Sequence, residues 1–369
     1  MRISFTDVAA LKKALKLAAG GASNKSTIPA LTCILIDTSG VGAAFTGYDL
    51  QSGVTVAVTD GVTVEEEGKC LVGAKTLADI VSAAARDKVV FESDGKKLKV
   101  STGNGMKFEL LEQDVSTYPA LPEVTGNKSF KIPFGRLKDA IDTTLFACAP
   151  DDEINLQKGC CFTLSLKDEN LEAVGVDGYR VAVNRSKVEN PDGVEFVAKI
   201  PRVIAAEVAK YPFKDDDEVK VCYDQKTLIF KMDGTKIFGR LYTGTTFDVN
   251  SIKLPDAEVG IVTADLLDAV AALKPLATAR ARTVIMTVMG GKAKLKMTTE
   301  LGSAETEVPL QNADNLELVI GFNLTYLLEA ASHIASETVR ASITSPTAPI
   351  KIIDGENNEF IVLPVRVNA

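Results

Sequence analysis

The chain of 369 residues has no tryptophan and one histidine, His333. A nucleophilic triad or a zinc site ordinarily needs more than that. His333 follows Leu327, Leu328 and Ala331 at helical spacing, where a half-exposed helix residue is the simpler reading. Six cysteines (Cys33, Cys70, Cys148, Cys160, Cys161 and Cys222) form no CxxC pair. Several sit in apolar strand patterns such as Thr32-Cys33-Ile34-Leu35-Ile36, as small buried hydrophobes in a reducing compartment do. No metal or other cofactor is expected. No apolar run approaches the roughly eighteen residues of a membrane helix, and Met1-Arg2-Ile3-Ser4-Phe5 leads into a lysine-rich amphipathic stretch without a cleavable apolar segment. A cytoplasmic globular protein is therefore expected. Enzymatic chemistry is also missing. Asp151-Asp152-Glu153 has no second acidic cluster at metal-binding spacing. Gly103-Asn104-Gly105 and Gly290-Gly291 lie between alternating strand patterns, so they read as hairpin turns rather than phosphate cradles.

What the chain has is a repeat. A strand running into a helix recurs at Val72-Gly73-Ala74-Lys75-Thr76, at Ile200-Pro201-Arg202-Val203 and at Phe322-Asn323-Leu324-Thr325. The carboxylates Asp79, Glu207 and Glu329 within these stretches are 128 and 122 residues apart, and a third of the chain is 123. A period that fills the chain and exceeds any solenoid unit makes each copy a domain. Each copy opens on an apolar helical face: Val8, Leu11 and Leu15, then Leu137, Ile141 and Leu145, then Leu266, Val270 and Leu273. Each closes on a glycine turn, at Gly103-Asn104-Gly105, Asp233-Gly234 and Asp354-Gly355, followed by Phe108, Phe238 and Phe360. Proline-marked linkers, Tyr118-Pro119 to Leu121-Pro122 and Phe247 to Leu254-Pro255, put boundaries near 125 and 255. The expected fold is α+β, with domains at 1–125, 126–255 and 256–369.

Net charge is −8, which alone disfavours nucleic acid. Six helices read at 6–19, 74–88, 134–147, 201–210, 263–281 and 322–335 hold twelve Lys/Arg against nine Asp/Glu, so they sum to +3 and the remainder to −11. Helices sharing one face would make a mildly basic, phosphate-tracking surface on an acidic body.

At this point the residues resemble a known family. Asp177-Gly178-Tyr179-Arg180-Val181-Ala182-Val183, Ile320-Gly321-Phe322-Asn323, Tyr118-Pro119-Ala120-Leu121-Pro122, the 247–255 linker and Val362-Leu363-Pro364-Val365-Arg366 occur in the order found in the bacterial sliding clamp, the beta subunit of DNA polymerase III. The resemblance implies three similar domains, each with two helices and antiparallel sheets, and a head-to-tail homodimeric ring with helices inside and sheet outside. It implies a non-catalytic processivity factor that encircles duplex DNA without sequence preference and holds the replicative polymerase, the clamp loader and repair polymerases by linear peptides. A repeat-built scaffold that binds protein alone is the competing reading.

Carried over residue by residue, the peptide pocket would comprise Gly178, Tyr179, Arg180, Val181, Ile361, Val362, Leu363, Pro364, Val365 and Arg366. The DNA-facing set would be Lys12, Lys13, Lys16, Lys25, Lys75, Arg136 and Arg202. Phe108 and Leu110 would meet Leu273 and Leu276 of a second copy. Val176, Gln157, Asp248 and Ile252 depart from the family's Thr, Leu, Pro and Arg, and Asn368 and Ala369 extend past its usual last residue. Altered peptide choice is expected from these changes, and the acidic loop Asp151-Asp152-Glu153 is expected to weaken contact with phosphate.

Overall fold

The computed structural model describes every residue except 85, 86, 127, 152, 153, 156–158, 253, 255–258, 368 and 369. The first repeat runs β1 (Arg2–Phe5), α1 (Val8–Gly21), β2 (Cys33–Asp37), β3 (Ala43–Tyr48), β4 (Ser52–Val58), β5 (Val62–Glu66), β6 (Lys69–Gly73), α2 (Ala74–Ala84), β7 (Val89–Ser93), β8 (Lys97–Thr102) and β9 (Lys107–Leu111). The second follows with β10 (Ser129–Pro133), α3 (Phe134–Thr144), β11 (Phe162–Lys167), β12 (Asn170–Val176), β13 (Arg180–Lys187), β14 (Phe196–Ile200), α4 (Arg202–Ala209), β15 (Glu218–Tyr223), β16 (Thr227–Met232) and β17 (Thr235–Arg240). The third is β18 (Val259–Val262), α5 (Thr263–Leu273), β19 (Thr283–Met289), β20 (Lys292–Thr299), β21 (Gly302–Gln311), β22 (Leu318–Asn323), α6 (Leu324–Ser332), β23 (Thr338–Ser342), β24 (Ile350–Asp354) and β25 (Asn358–Val362). Every repeat thus reads strand, helix, strands, helix and three strands.

Local chemistry explains the recurring pieces. The Asp7 carboxylate accepts from Ala10 N at 2.9 Å and starts α1, whose buried Val8, Leu11, Ala14, Leu15 and Ala18 make one face. Gly47 at the end of β3 and Gly175 at the end of β12 are equivalent. A Cβ on the first would run into the Ala18 carbonyl of α1, and on the second into the Thr144 carbonyl of α3. Only glycine lets strand and helix backbones approach that closely. The three closing hairpins turn at Gly105, Gly234 and Gly355, with φ of 83°, 64° and 61°.

The helices are shorter than the sequence suggests. The fifth, expected to reach 281, ends at Leu273, because Pro275 allows only a 3-10 turn over Lys274–Leu276. α3 likewise gives way to a 3-10 turn over Leu145–Ala147. This corrects the charge reading. Lys88, Lys210, Lys274 and Arg280 fall beyond helix ends and Arg86 lies outside the described residues. Among the described residues the helices carry seven basic and seven acidic side chains and sum to zero. The basic excess is local: α1 and α2 hold Lys12, Lys13, Lys16 and Lys75 against Asp79, while α5 and α6 hold only Asp265, Asp268 and Glu329.

Contacts gather the chain into two compact units. Unit 1, Met1–Phe134 with Lys210–Leu241, contains a five-stranded sheet in the order β5-β1-β7-β8-β9 and an eight-stranded sheet in the order β10-β15-β16-β17-β4-β3-β2-β6. Unit 2, Gly135–Ala209 with Tyr242–Ala369, contains a twelve-stranded array from β14 through β11, β12, β13, β25, β24, β23, β18, β21, β20 and β19 to β22. The second repeat is therefore shared. Its last strands join the first repeat through the β17 and β4 pairing, and its earlier strands join the third through β13 and β25.

Candidate functional site

Within unit 2, β13 and β25 pair with Arg180 opposite Val362 and Val181 opposite Ile361. The turn before β13 is set by Asp177, whose carboxylate accepts from Tyr179 N at 2.8 Å and Arg180 N at 3.0 Å, while Gly178 takes a φ of 87°. After β25 the chain leaves the sheet beside that turn: Leu363 N donates to Tyr179 O at 2.9 Å and Val365 N to Gly321 O at 2.8 Å. Gly178, Tyr179, Val181, Ile361, Leu363, Pro364 and Val365 are so brought together across nearly half the chain. Tyr179 is 62% exposed, Leu363 37% and Val365 36%. Beneath them lies a buried cluster of Val174, Val176, Val181, Val183, Val249 and Ile361, with Phe247, Ile252 and Leu254 packed against its side. The result is a shallow apolar groove with an aromatic lip, since the Tyr179 and Tyr326 rings stack at 6.1 Å. Burial, and after it the Asp177 charge, pushes the Tyr326 phenol up.

Two pocket candidates point elsewhere. Val362 turns to the other face and packs in the main core of unit 2. Arg180 is not a free charge for a ligand. Its side chain is 9% exposed and its guanidinium is held by Asp177 at 3.0 Å, by Glu329 and by the Phe146 carbonyl at 2.8 Å. It also lies over the Tyr326 ring at 4.6 Å. Buried donors demand such partners, so Arg180 braces the groove from behind and Arg366, which is exposed, is the basic group left at its rim. Sequence reasoning missed Tyr326, Phe146 and the second role of Glu329. The recurrence of a carboxylate at the Glu329 position was the available clue. Of the departures, Val176 and Ile252 build the apolar floor and wall, and Asp248 caps a 3-10 turn by accepting from Asn250 N at 3.0 Å. Gln157, Asn368 and Ala369 lie outside the described residues.

The expected dimer contact needs correcting. Leu273 is 0% exposed in the core of unit 2 and has no surface to offer, because the helical period turns it inward with Leu266 and Val270. Leu276, on the 3-10 turn, is only partly buried there. Phe108 and Leu110 are half-buried on β9, which among the described residues pairs with β8 alone.

Lys13, Lys16, Lys25, Lys75, Arg136 and Arg202 are exposed and Lys12 is half-buried. The Lys13 ammonium stands 6.0 Å from the Phe213 ring. Asp151 behaves differently from a free loop acid, since its carboxylate accepts from Arg202 N at 2.7 Å and starts α4. Burial pushes its pKa up despite that bond. Asp152 and Glu153 lie outside the described residues. His333 stacks on Phe146 at 4.0 Å, and its Nδ1 donates to the Glu329 carbonyl at 2.7 Å. All six cysteines are free and buried, and burial raises the Cys33, Cys148 and Cys161 thiols. No group of three metal-ligating side chains occurs among the described residues.

Models of the N-terminal, central and C-terminal domains of the DNA polymerase III beta subunit match residues 5–122, 131–247 and 254–366 in turn. The chain belongs to the DNA polymerase III beta subunit family. Among relatives, the Beta sliding clamp of Pseudomonas aeruginosa is 28% identical over 97% of this chain and 98% of that one. The Bacillus subtilis Beta sliding clamp is 25% identical over 93% and 94%. The fold agrees with the solved sliding clamp of Bacillus subtilis at a TM-score of 0.92 and 23% identity, with both chains fully covered. It agrees with the beta subunit from Pseudomonas aeruginosa at 0.91 and 24%, again over both whole chains. As a beta subunit the chain is a non-catalytic DNA sliding clamp and processivity factor. Among the described residues no helix is long and apolar enough to cross a membrane.

Proposed function

We propose that two copies of this chain close head to tail into a ring around duplex DNA in the cytoplasm, and that replication partners dock in the groove of unit 2 by linear peptides. The observation that carries the reading is the in-order match of three beta-subunit domains along the whole chain. The repeated order of elements supports three domains dividing near 125 and 255. Ring closure has a physical basis in the free edges. Within the chain, one repeat meets the next where β17 joins β4 and where β25 joins β13. The strands left over are β9, the first repeat's counterpart of β17 and β25, and β21, which pairs with β20 along most of its length and with β18 only at Leu310 and Gln311. Joining β9 of one copy to β21 of the other satisfies both edges, with Phe108, Leu110 and Leu276 at that junction.

Lys12, Lys13, Lys16, Lys25, Lys75, Arg136 and Arg202 are proposed to contact phosphate without reading bases. Most of them sit in the first repeat, where the helix charge is concentrated. The groove, with its aliphatic floor, tyrosine lip and Arg366 at the rim, suits a short peptide carrying apolar anchors and an acidic or polar flank. The ring is tested by loading the protein on nicked circular DNA and then linearising it. A clamp stays on the circle and runs off the line, whereas a protein-only scaffold is retained by neither.

A further inference from the structure

The eight-stranded sheet of unit 1 carries a row of lysines that its fold does not require. Lys131 on β10, Lys220 on β15, Lys231 on β16 and Lys236 on β17 stand directly opposite one another across four neighbouring strands. Like charges facing across strands are destabilising, and a row of them is costly unless something neutralises it. Lys131 has Glu218 at 2.7 Å. Lys220, Lys231 and Lys236 are exposed and make no ion pair among the described residues. In unit 2, counting from the matching turns capped by Asp49 and Asp177, the positions equivalent to Lys236, Lys231, Lys220 and Lys131 are Glu359, Ile353, Arg340 and Gly260. Strand geometry therefore does not dictate lysine here.

The row borders a groove of about 620 Å³. One step along the same face, Cys222, Ile229 and Phe238 form an apolar row, and the linker through Leu121 and Pro122 makes the far wall. That wall is fixed: Thr125 donates through its N and its hydroxyl to Asp224 at 2.8 and 2.9 Å. Val221, Phe230 and Ile237 point to the other face, into the core. Of the acids nearby, Asp37 is taken by Lys69 at 2.9 Å and Glu123 sits on the linker.

We infer that this groove is a second docking site, which takes an extended segment of a partner protein bearing acidic residues alternating with aliphatic ones. Side chains of an extended strand alternate in direction, so carboxylates can meet the lysine row while aliphatic groups meet the half-buried Leu35, Leu121 and Ile229 of the same groove. A nucleic acid strand would satisfy the lysines but not the apolar wall, because the half-buried side chains there, Leu35, Leu121 and Ile229, are aliphatic and offer no ring face for base stacking.

The probe is a fluorescent peptide alternating Glu with Leu, titrated by anisotropy against the full-length protein. Leu363→Asp with Val365→Asp disables the groove of unit 2, so binding retained in that double variant reports unit 1 alone. Lys231→Glu places an acid between two lysines and should fold at least as stably as the parent, yet bind the peptide about tenfold more weakly or worse. Lys231→Gln should fall between the two. Equal affinity of parent and Lys231→Glu overturns the inference. So does loss of binding in the Leu363 and Val365 double variant, or a labelled single-stranded oligonucleotide that binds while the peptide does not.

Discussion

Single residues carry the groove of unit 2 through polar contacts that sequence alone conceals. Arg180 stands in a stretch that reads as ligand-facing, yet its guanidinium is spent on Asp177, Glu329 and the Phe146 carbonyl. Arg180→Ala should strand those partners and cost about 3–5 kcal/mol, with loss of peptide binding following loss of the turn; chemical denaturation beside a peptide titration checks both. Asp354 is a second such residue. It is 2% exposed and accepts from Ala335 N and Ser336 N, each at 3.0 Å, and from the Asn358 side chain at 3.2 Å. Burial pushes this carboxyl up, but the hydrogen bonds outweigh it and hold the pKa below the usual carboxylate range. A depressed folded pKa contributes stability that is present above the unfolded value and lost as pH falls through the acid range. Asp354→Asn should thus lose about 1.5–3 kcal/mol at neutral pH. The gap from the parent should narrow in unfolding curves taken towards pH 3, and a gap constant from neutral to acid pH would contradict the assignment.

Elements were the most legible part of the sequence, and their ends the least. The three strand-to-helix junctions and the three glycine turns stand where spacing put them, because periodicity and positive φ are local properties. Pro275 stopped α5 eight residues before the expected end, since a single missing N–H outweighs a run of good helix formers. The basic excess of the helices goes with those ends, and Leu273 turns into the core, because helical spacing shows that a face exists without showing which way it turns. Gly47 and Gly175 were also invisible, as their neighbours are carbonyls of distant helices. Replacing either with Ala should cost about 1–3 kcal/mol through overpacking, whereas Gly95→Ala, with nothing within 4 Å, is opposed only by its φ of 85°. Thermal unfolding of the three variants ranks them. On the lysine row, Lys231→Glu should raise stability by about 0.2–1 kcal/mol, because it converts two like-charge pairs to opposite ones.

At the scale of the molecule, family and repeat number could be read from order and period alone, while the way repeats share sheets could not, because strand partners far apart leave no trace in either chain segment. Phe108→Asp together with Leu276→Asp should give folded monomers in sedimentation, since both positions are only half-buried in the separate chain and a charge there opposes assembly more than folding. A variant that remains dimeric at low concentration would move the junction elsewhere.

The shared second repeat also bears on synthesis. The free edge of β4 is closed by β17, which ends at Arg240, and that of β13 by β25, which ends at Val362. As the chain leaves the ribosome, neither of the first two repeats can finish its sheet until most of the next one has been made. Each waits with a bare strand edge, and an exposed edge invites pairing with other chains. Nascent chains halted near residue 200 should then be more prone to aggregation and proteolysis than chains halted past residue 245, although both contain the whole first repeat.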